Sequence, residues 1–122
     1  MKTLTKAEEE IMQQLWDLKK ATVKEIIAQL PEPKPAYNTV STIIRILETK
    51  NFVDHESAGK GYLYFPTVSK SVYTQNAMNY WVDNYFQGSF KSMVSFFMKK
   101  NDLSLKELEE ILEEMNAKNE PK

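Results

Sequence analysis

A helical pattern followed directly by a hairpin pattern in residues 36–67 is the feature that most narrows the possible folds. The apolar residues of its first half recur with the spacing that places them on one face of an α-helix and turns that face inward. They are Val40, Ile43, Ile44 and Leu47. We predict a helix over about residues 37–50 that ends at Asn51, a residue type that tolerates the left-handed conformation common just past a helix end.

The second half of this segment predicts a β-hairpin. Residues 52–55 and 62–65 are rich in strand-forming side chains. Between them, Gly59 and Gly61 flank Lys60 and offer the positive-φ positions that a hairpin turn needs. A helix followed by such a hairpin is the outline of a recognition helix and its wing.

Two earlier helices are predicted from capping boxes, in which a Thr hydroxyl and a Glu carboxylate satisfy free N–H groups at a helix start. Thr5 with Glu8 opens a helix that runs to about Leu18, and Thr22 with Glu25 opens a shorter one. The prolines of the run PEPKP end the second helix, because proline lacks the N–H group and restricts the residue before it. The predicted fold class is mainly α with a small β-hairpin, a winged helix-turn-helix followed by a helical arm.

The face of the third helix opposite its apolar residues carries short polar side chains around a single arginine. These are Asn38, Thr42, Arg45 and Thr49. Arg can donate two hydrogen bonds to guanine, and small polar side chains approach bases and phosphates closely. The pattern fits a helix that reads DNA, and it also fits a surface helix that lacks long charged side chains. The winged-helix outline favours the first interpretation.

We predict DNA contacts along this helix and at the tip of the hairpin. Arg45 is the candidate reader of a guanine, and Lys60 is the candidate phosphate contact of the wing. The full predicted set is Tyr37, Asn38, Thr39, Ser41, Thr42, Arg45, Lys60 and Tyr62.

The overall charge counts mildly against a nucleic-acid binder, since most of these carry a basic surplus. The chain has 122 residues, a net charge of −1 and a pI near 5.9. We nevertheless expect a locally positive face, with Glu8, Glu9 and Glu10 away from the segments that face DNA. The cations of those segments are Lys34, Arg45, Lys50, Lys60 and Lys70.

Several function classes are excluded or disfavoured by composition. The absence of cysteine rules out disulfides, thiolate metal sites and a cysteine nucleophile. His55 is the one histidine and is predicted to be a partly exposed surface residue. We expect no enzymatic activity, no metal site and no cofactor. The start lacks the apolar segment of a secretory signal and no apolar run approaches the ~20 residues of a membrane span, so we expect a cytoplasmic protein without membrane insertion.

The rest of the chain predicts a helical arm that carries many aromatic side chains. They are Tyr73, Tyr80, Trp81, Tyr85, Phe86, Phe90, Phe96 and Phe97. One helix is predicted over about residues 70–87 and is interrupted at Gly88. A second follows with a stripe of Phe90, Met93, Val94, Phe97 and Met98, and Ser104 opens a third with Leu105, Leu108, Ile111, Leu112 and Met115.

Three short helices bury too little apolar area to stand alone without a disulfide or metal. A second copy of the chain is the simplest partner, and the alternative is that the helices fold back on the winged helix. The predicted dimer interface comprises Trp81, Tyr85, Phe90, Phe97, Leu108 and Leu112. The predicted domains are a winged helix over 1–69, a helical dimerisation domain over 70–117 and a flexible tail over 118–122.

Four segments, LTKAEEEIMQQLW, TVKEIIAQL, YNTVSTIIRILETKNFV and GKGYLYFPTVS, resemble successive signatures of the penicillinase-repressor family of bacterial transcriptional regulators (BlaI/MecI/CopY type). The resemblance continues to about Met115. It implies a homodimeric repressor that binds a dyad-symmetric, inverted-repeat operator in double-stranded DNA. It also implies a membrane-bound sensor protease as a partner, since cleavage by such a protease removes the best-known members.

Two departures from the family pattern bear on regulation. The chain lacks the C-terminal cysteine cluster of the copper-responsive relatives, so copper sensing is not expected. Phe96-Phe97 stands where the cleaved relatives have an Asn-Phe bond, which leaves release by proteolysis open. The alternative function is a winged-helix scaffold for protein interactions, without sequence-specific DNA binding, whose aromatic arm docks a different protein.

Overall fold

The computed structural model describes residues 3–101 and 103–119, which form helices and one antiparallel hairpin. In chain order the elements are α1 (Lys6–Leu18), α2 (Val23–Gln29), α3 (Tyr37–Thr49), β1 (Val53–Ala58), β2 (Gly61–Pro66), α4 (Lys70–Tyr85), α5 (Phe90–Lys100) and α6 (Leu105–Asn119). The predicted class, mainly α with a small hairpin, is confirmed. None of the described helices is long and apolar enough to cross a membrane.

Both predicted capping boxes are present. The Glu8 N–H donates to the Thr5 hydroxyl at 3.2 Å, and the Thr5 N–H donates to the Glu8 carboxylate at 2.8 Å. Thr22 and Glu25 repeat the arrangement at 3.2 and 2.9 Å. These reciprocal bonds use local sequence alone, which explains why the starts of α1 and α2 could be predicted.

The first three helices and the base of the hairpin enclose one hydrophobic core. On α3, Val40, Ile44 and Leu47 are each 0% exposed, as the helical spacing predicted. Phe52, directly after α3, is among the largest fully buried side chains. The core comprises Ile11, Met12, Leu15, Ala21, Val23, Ile26, Leu30, Val40, Ile44, Leu47, Phe52, Val53 and Tyr64.

The hairpin is longer than predicted and is fixed to the core at its base. Its ladder runs from Val53↔Pro66 to Ala58↔Gly61, because a turn of only two residues, Gly59 and Lys60, lets pairing continue beyond the predicted strand ends. Gly59 has φ +61°, whereas Gly61 does not have the predicted positive φ. A glycine with positive φ at the first of two turn residues is typical of a type II′ turn.

A short bridge that the sequence did not predict holds the hairpin to the helices. Ala21 lies between α1 and α2 and pairs with Tyr64 of β2 in an isolated antiparallel bridge. The Ala21 N–H donates to the Tyr64 carbonyl at 3.0 Å, and the Tyr64 N–H donates back at 2.8 Å. A two-stranded hairpin alone is marginally stable, so this bridge anchors the wing.

The predicted separation of acidic and basic groups was wrong at Lys50. Lys50, at the end of α3, lies 2.7 Å from the Glu8 carboxylate and also donates to the Thr3 carbonyl at 3.2 Å. The reason is that the start of α1 packs beside the end of α3. Lys34 follows α2 in the chain, and its ammonium reaches back to the end of that helix, where it donates to the carbonyls of Ile27, Ala28 and Leu30.

The chain divides into two compact units after Asn76, within α4, rather than after residue 69. The first turns of α4 belong to the first unit because Tyr73 packs against Trp16 and Phe52, with ring centroids 5.7 and 5.8 Å apart. The Tyr73 hydroxyl donates to Glu9 at 2.6 Å. Burial, followed by this hydrogen bond and the charge of Glu9, raises the pKa of Tyr73 to about 12.

The second unit contains the rest of α4, with α5 and α6. Helix α4 ends at Tyr85, slightly before the predicted end, since Gln87 and Gly88 both adopt positive φ. Helix α6 runs through Asn119 and therefore includes the first residues of the predicted tail, the rest of which lies outside the described residues. Among the described residues of this unit, Val82 and Met93 are buried hydrophobic side chains, whereas most of the aromatic side chains are exposed.

We expect Glu8→Gln to lower the free energy of unfolding by about 1–3 kcal/mol at neutral pH, because a charged hydrogen bond to Lys50 is lost in a site where Glu8 is 4% exposed. Burial acts to raise the pKa of Glu8, but the Lys50 hydrogen bond and charge and the Thr5 bonds outweigh it and lower the pKa below 4.5. A carboxyl group whose pKa is lowered in the folded protein stabilises the fold at pH values above its ordinary pKa. This stabilisation is lost as the pH falls through the lowered pKa.

Denaturant titrations as a function of pH measure this difference. The unfolding curves of wild type and Glu8→Gln should converge in acid, and Glu10→Gln, which changes an exposed carboxylate of the same helix, should be neutral. A difference that grows on acidification would contradict the assignment.

Candidate nucleic-acid interface

The exposed face of α3 presents the polar stripe that the sequence predicted. Asn38, Thr42, Arg45 and Thr49 are all exposed, opposite the fully buried side chains of the same helix. Helix α3 starts at Tyr37 without a side-chain cap, so its first N–H groups receive no hydrogen bond from the Ala36 side chain. Thr39 is exposed as well, whereas Ser41 is only partly so.

The threonines of this face use their hydroxyl protons within the helix. Thr42 donates to the Asn38 carbonyl at 2.9 Å, and Thr49 donates to the Arg45 carbonyl at 3.0 Å. A hydroxyl that donates in this way keeps its lone pairs. The two threonines are thus oriented as hydrogen-bond acceptors toward an outside partner, which a sequence reading could not specify.

Arg45 is the donor on this face. Its guanidinium forms no ion pair with a carboxylate within residues 3–101 and 103–119. Since Lys34 and Lys50 are engaged at helix ends, Arg45 is the cation of α3 that remains available to a ligand.

Ile46 was not among the predicted site residues, yet it is 41% exposed beside Thr42 and Thr49. Its position outside the apolar spacing of α3 was the available signal, because an isoleucine off the buried face has no core to fill. An exposed apolar group on a reading helix suits contact with the methyl group of thymine.

The tip of the wing presents Lys60 and Tyr62. Lys60 is exposed in the two-residue turn, and Tyr62 is 50% exposed on β2. A Cβ at either glycine that flanks Lys60 would have no atom within 4 Å, and the residues of the turn are all exposed. The predicted wing residues thus lie where an external ligand can reach them.

His55 joins the wing to α3, which the sequence reading did not foresee. It is partly exposed, as predicted, but its Nδ1 lies 2.6 Å from the Glu48 carboxylate on α3. Its ring also meets the edge of Tyr62, with centroids 4.6 Å apart, and lies 5.7 Å from Tyr64. We call His55, Glu48 and Tyr62 the wing clasp.

The carboxylate of Asp54 extends this cluster, since Asp54, Glu48 and His55 each offer a donor atom within 4.8 Å of the others. The hydrogen bonds already present account for the arrangement. Glu48 pairs with His55, and the Asp54 carboxylate accepts the His55 N–H at 2.8 Å.

The charges at the junction of wing and helix also act on Tyr64. Burial raises the pKa of the Tyr64 hydroxyl, and the negative charge of Glu48 raises it further, while Arg45 lowers it. Tyr64 therefore sits where the charged side chains of α3 and the wing lie close together.

The second unit carries an apolar groove of about 750 Å³. It is lined by Met78, Trp81, Tyr85, Phe86, Met93, Phe96 and Phe97. Of the predicted interface residues, Trp81, Tyr85 and Phe97 lie in the groove. Phe90 and Leu112 are exposed elsewhere on the arm, and Leu108 is partly buried.

Helices α1–α3, the bridged hairpin and the polar face of α3 define a winged-helix protein of the DNA-binding type. The penicillinase repressor family matches residues 4–117. The methicillin resistance regulatory protein MecI of Staphylococcus aureus (strain N315) is 30% identical over 116 residues, covering 94% of this chain and 94% of that protein.

The penicillinase repressor of Bacillus licheniformis is 28% identical over 115 residues, covering 91% of this chain and 90% of that protein. The solved CopR repressor structure is 32% identical with a TM-score of 0.47, and the match covers 56% of this chain and 100% of that one. The chain belongs to the penicillinase repressor family, whose members are transcriptional repressors and not enzymes. The resemblance read from the sequence is confirmed.

Proposed function

We propose that this chain is a cytoplasmic, homodimeric repressor that binds an inverted-repeat operator through its winged helix. The observation that carries the proposal is the two-sided construction of α3. One face is fully buried, so the opposite face, with Arg45, is held at the surface in a fixed orientation.

The chemistry of this face suits the major groove. Arg45 can donate two hydrogen bonds to a guanine, and Asn38 can pair with an adenine edge. Thr42 and Thr49, with their protons used inside the helix, suit donors such as the amino group of cytosine or adenine. Ile46 adds an apolar surface for a thymine methyl group.

The wing supplies affinity more than sequence information. Lys60 projects from the exposed turn and suits a phosphate, a contact that is independent of sequence. Lys34 and Lys50 are engaged within the fold, so two of the cations expected on the DNA-facing segments are less available to phosphates. Tight binding by a chain with a net charge of −1 therefore depends on base contacts and on a second copy.

The second copy is proposed to associate through the arm. Phe90, Phe97 and Leu112 are about half exposed, and the groove that Phe97 helps to line is apolar. Exposed apolar patches of this kind mark interaction sites. A symmetric dimer places two recognition helices about one turn of DNA apart or a multiple of it, which matches an inverted repeat.

The first prediction concerns the reading face. Arg45→Ala should weaken operator binding by ~1–3 kcal/mol, because a two-bond contact to guanine is lost. Fluorescence anisotropy at fixed salt, with operator and random duplexes, measures the change. Lys60→Ala is the matched control, since loss of a phosphate contact should weaken both duplexes about equally and lower the salt slope by about one. Unchanged operator affinity in Arg45→Ala would remove Arg45 from the readout.

The second prediction concerns the arm. Wild type should sediment as a dimer at micromolar concentration, whereas Phe97→Glu should be monomeric, because a charge replaces a half-exposed aromatic ring of the groove. Operator affinity should then fall by ~10²-fold or more, since the second half-site contact is no longer intramolecular. Ser95→Glu adds the same charge on the opposite side of α5 and should leave the dimer intact.

A wild-type chain that is monomeric at micromolar concentration and still binds a palindrome tightly would contradict this mechanism. A chain that binds no dyad-symmetric DNA but captures a different protein through the groove would support the scaffold alternative.

Release by proteolysis of the arm stays a prediction. A cut between Ser95 and Lys99, around the exposed Phe96-Phe97 pair of α5, would interrupt the arm and lower avidity by ~10²–10⁴ without altering a base contact. Immunoblots of the host under inducing and non-inducing conditions should then show a shortened chain when the regulated genes switch on. Persistence of the full-length chain would reject cleavage and indicate a ligand or partner that acts on the arm.

A further inference from the structure

The wing is held firmly only at its base. Val53 and Tyr64 are buried there, and the Ala21 bridge fixes β2, whereas every residue of β1 after Val53 is exposed. Lys60 lies at the far end of the hairpin, in a turn whose residues are all exposed. A small change in the tilt of such a hairpin moves its tip further than its base, so the position of Lys60 depends on side contacts along the strands.

His55 provides a side contact toward the recognition helix. Its Nδ1 lies 2.6 Å from Glu48, which is on the last turn of α3, and its ring packs against Tyr62 on the neighbouring strand. A second side contact, Lys20 to Glu56 at 2.9 Å, points instead to the connection between α1 and α2. The wing clasp is therefore the contact that relates the wing directly to the helix carrying Arg45.

We propose that His55 is a positioning residue that sets the wing against the recognition helix, so that Lys60 and Tyr62 reach the DNA backbone while Arg45 lies in the groove. This inference rests on the proposed function, because it assumes that both elements contact one DNA site. Glu48 acts through His55 and does not itself touch DNA.

The proposed role of Glu48 predicts the direction in which DNA affinity changes when its charge is removed. A carboxylate near DNA repels phosphates. If Glu48 acted only through its charge, its removal should strengthen binding to any duplex. If Glu48 instead holds the wing, Glu48→Gln should weaken binding. His55→Ala should weaken operator binding by about two- to fivefold, the range that a partly exposed side-chain pair supports.

The experiment measures operator affinity for Glu48→Gln, His55→Ala and the double variant at fixed salt. We expect each single variant to lose as much operator affinity as the double variant, since either change opens the same wing clasp. In a chain that already carries Lys60→Ala, His55→Ala should weaken operator binding less than it does in wild type, because the wing has already lost its phosphate contact. If His55 only stabilised the fold, His55→Ala would weaken operator binding by the same factor in that background as in wild type.

Two control variants match these changes. Ser57→Ala alters the next residue on the same face of β1, and Glu32→Gln removes an exposed carboxylate just before α3. Neither should weaken binding. Thermal unfolding midpoints of all variants should agree closely, because His55 is 37% exposed at its side chain and lies outside the core.

Hydrogen exchange of the protein without DNA separates the positioning role of His55 from the proposed function. Amides of β1 and β2 near the turn should exchange faster in His55→Ala than in wild type, with the core helices unchanged. If wild type binds the operator and Arg45→Ala weakens it, but His55→Ala matches wild type in affinity and exchange, the positioning role is overturned and the proposed function stands. A full chain that binds no dyad-symmetric DNA overturns the proposed function, whereas the exchange measurement still decides the clasp.

Discussion

Burial of one face of α3 is the constraint on which the rest of the structure depends. Val40, Ile44 and Leu47 are completely removed from solvent among side chains of α1, α2 and the hairpin base. Fully burying such side chains contributes about 1.5–3 kcal/mol each, so the helix has little freedom to rotate about its axis. Arg45 and the two threonines face outward for this reason, and the hydroxyl groups of Thr42 and Thr49 are further oriented by their bonds to helix carbonyls.

The wing depends on the same core, but less tightly. Its base is fixed by buried Val53 and by the backbone bridge between Ala21 and Tyr64, both continuous with the packing of α3. Beyond the base, the contacts of the wing with the helices among the described residues include the partly exposed pairs His55–Glu48 and Lys20–Glu56, which are individually weak. The polar face of α3 is thus fixed by the core, whereas the wing is less constrained, which suits the proposed division between base contacts by the helix and backbone contacts by the wing.

The sequence predicted those parts of the fold that depend on neighbouring residues. The capping boxes at Thr5 and Thr22, the apolar spacing of α3 and the left-handed Asn51 involve residues within a few positions of one another. The polar stripe could be predicted for the same reason, since it is the complement of the buried face. The extra ladder pairs of the hairpin followed from a turn shorter than predicted.

Contacts between distant residues could not be read in this way. Lys50 pairs with Glu8 across 42 positions, and Tyr73 reaches Glu9 across 64, so both were assigned to the wrong surroundings. His55 and Glu48 are close in sequence, yet they lie on different elements, and only the packing of β1 against α3 brings them together. Lys34 was counted as a free cation because nothing in its neighbourhood shows that the chain turns back onto the end of α2.

The central claim is that two copies of α3 lie in successive major grooves with Arg45 against guanine. Protection of guanine N7 from dimethyl sulfate on the native operator tests it most directly, because this atom is exposed in the major groove. Our account predicts two symmetric protected guanines separated by about one helical turn or a multiple of it, both of which become reactive with Arg45→Ala. Protection at one position only, or protection that Arg45→Ala leaves intact, would contradict it.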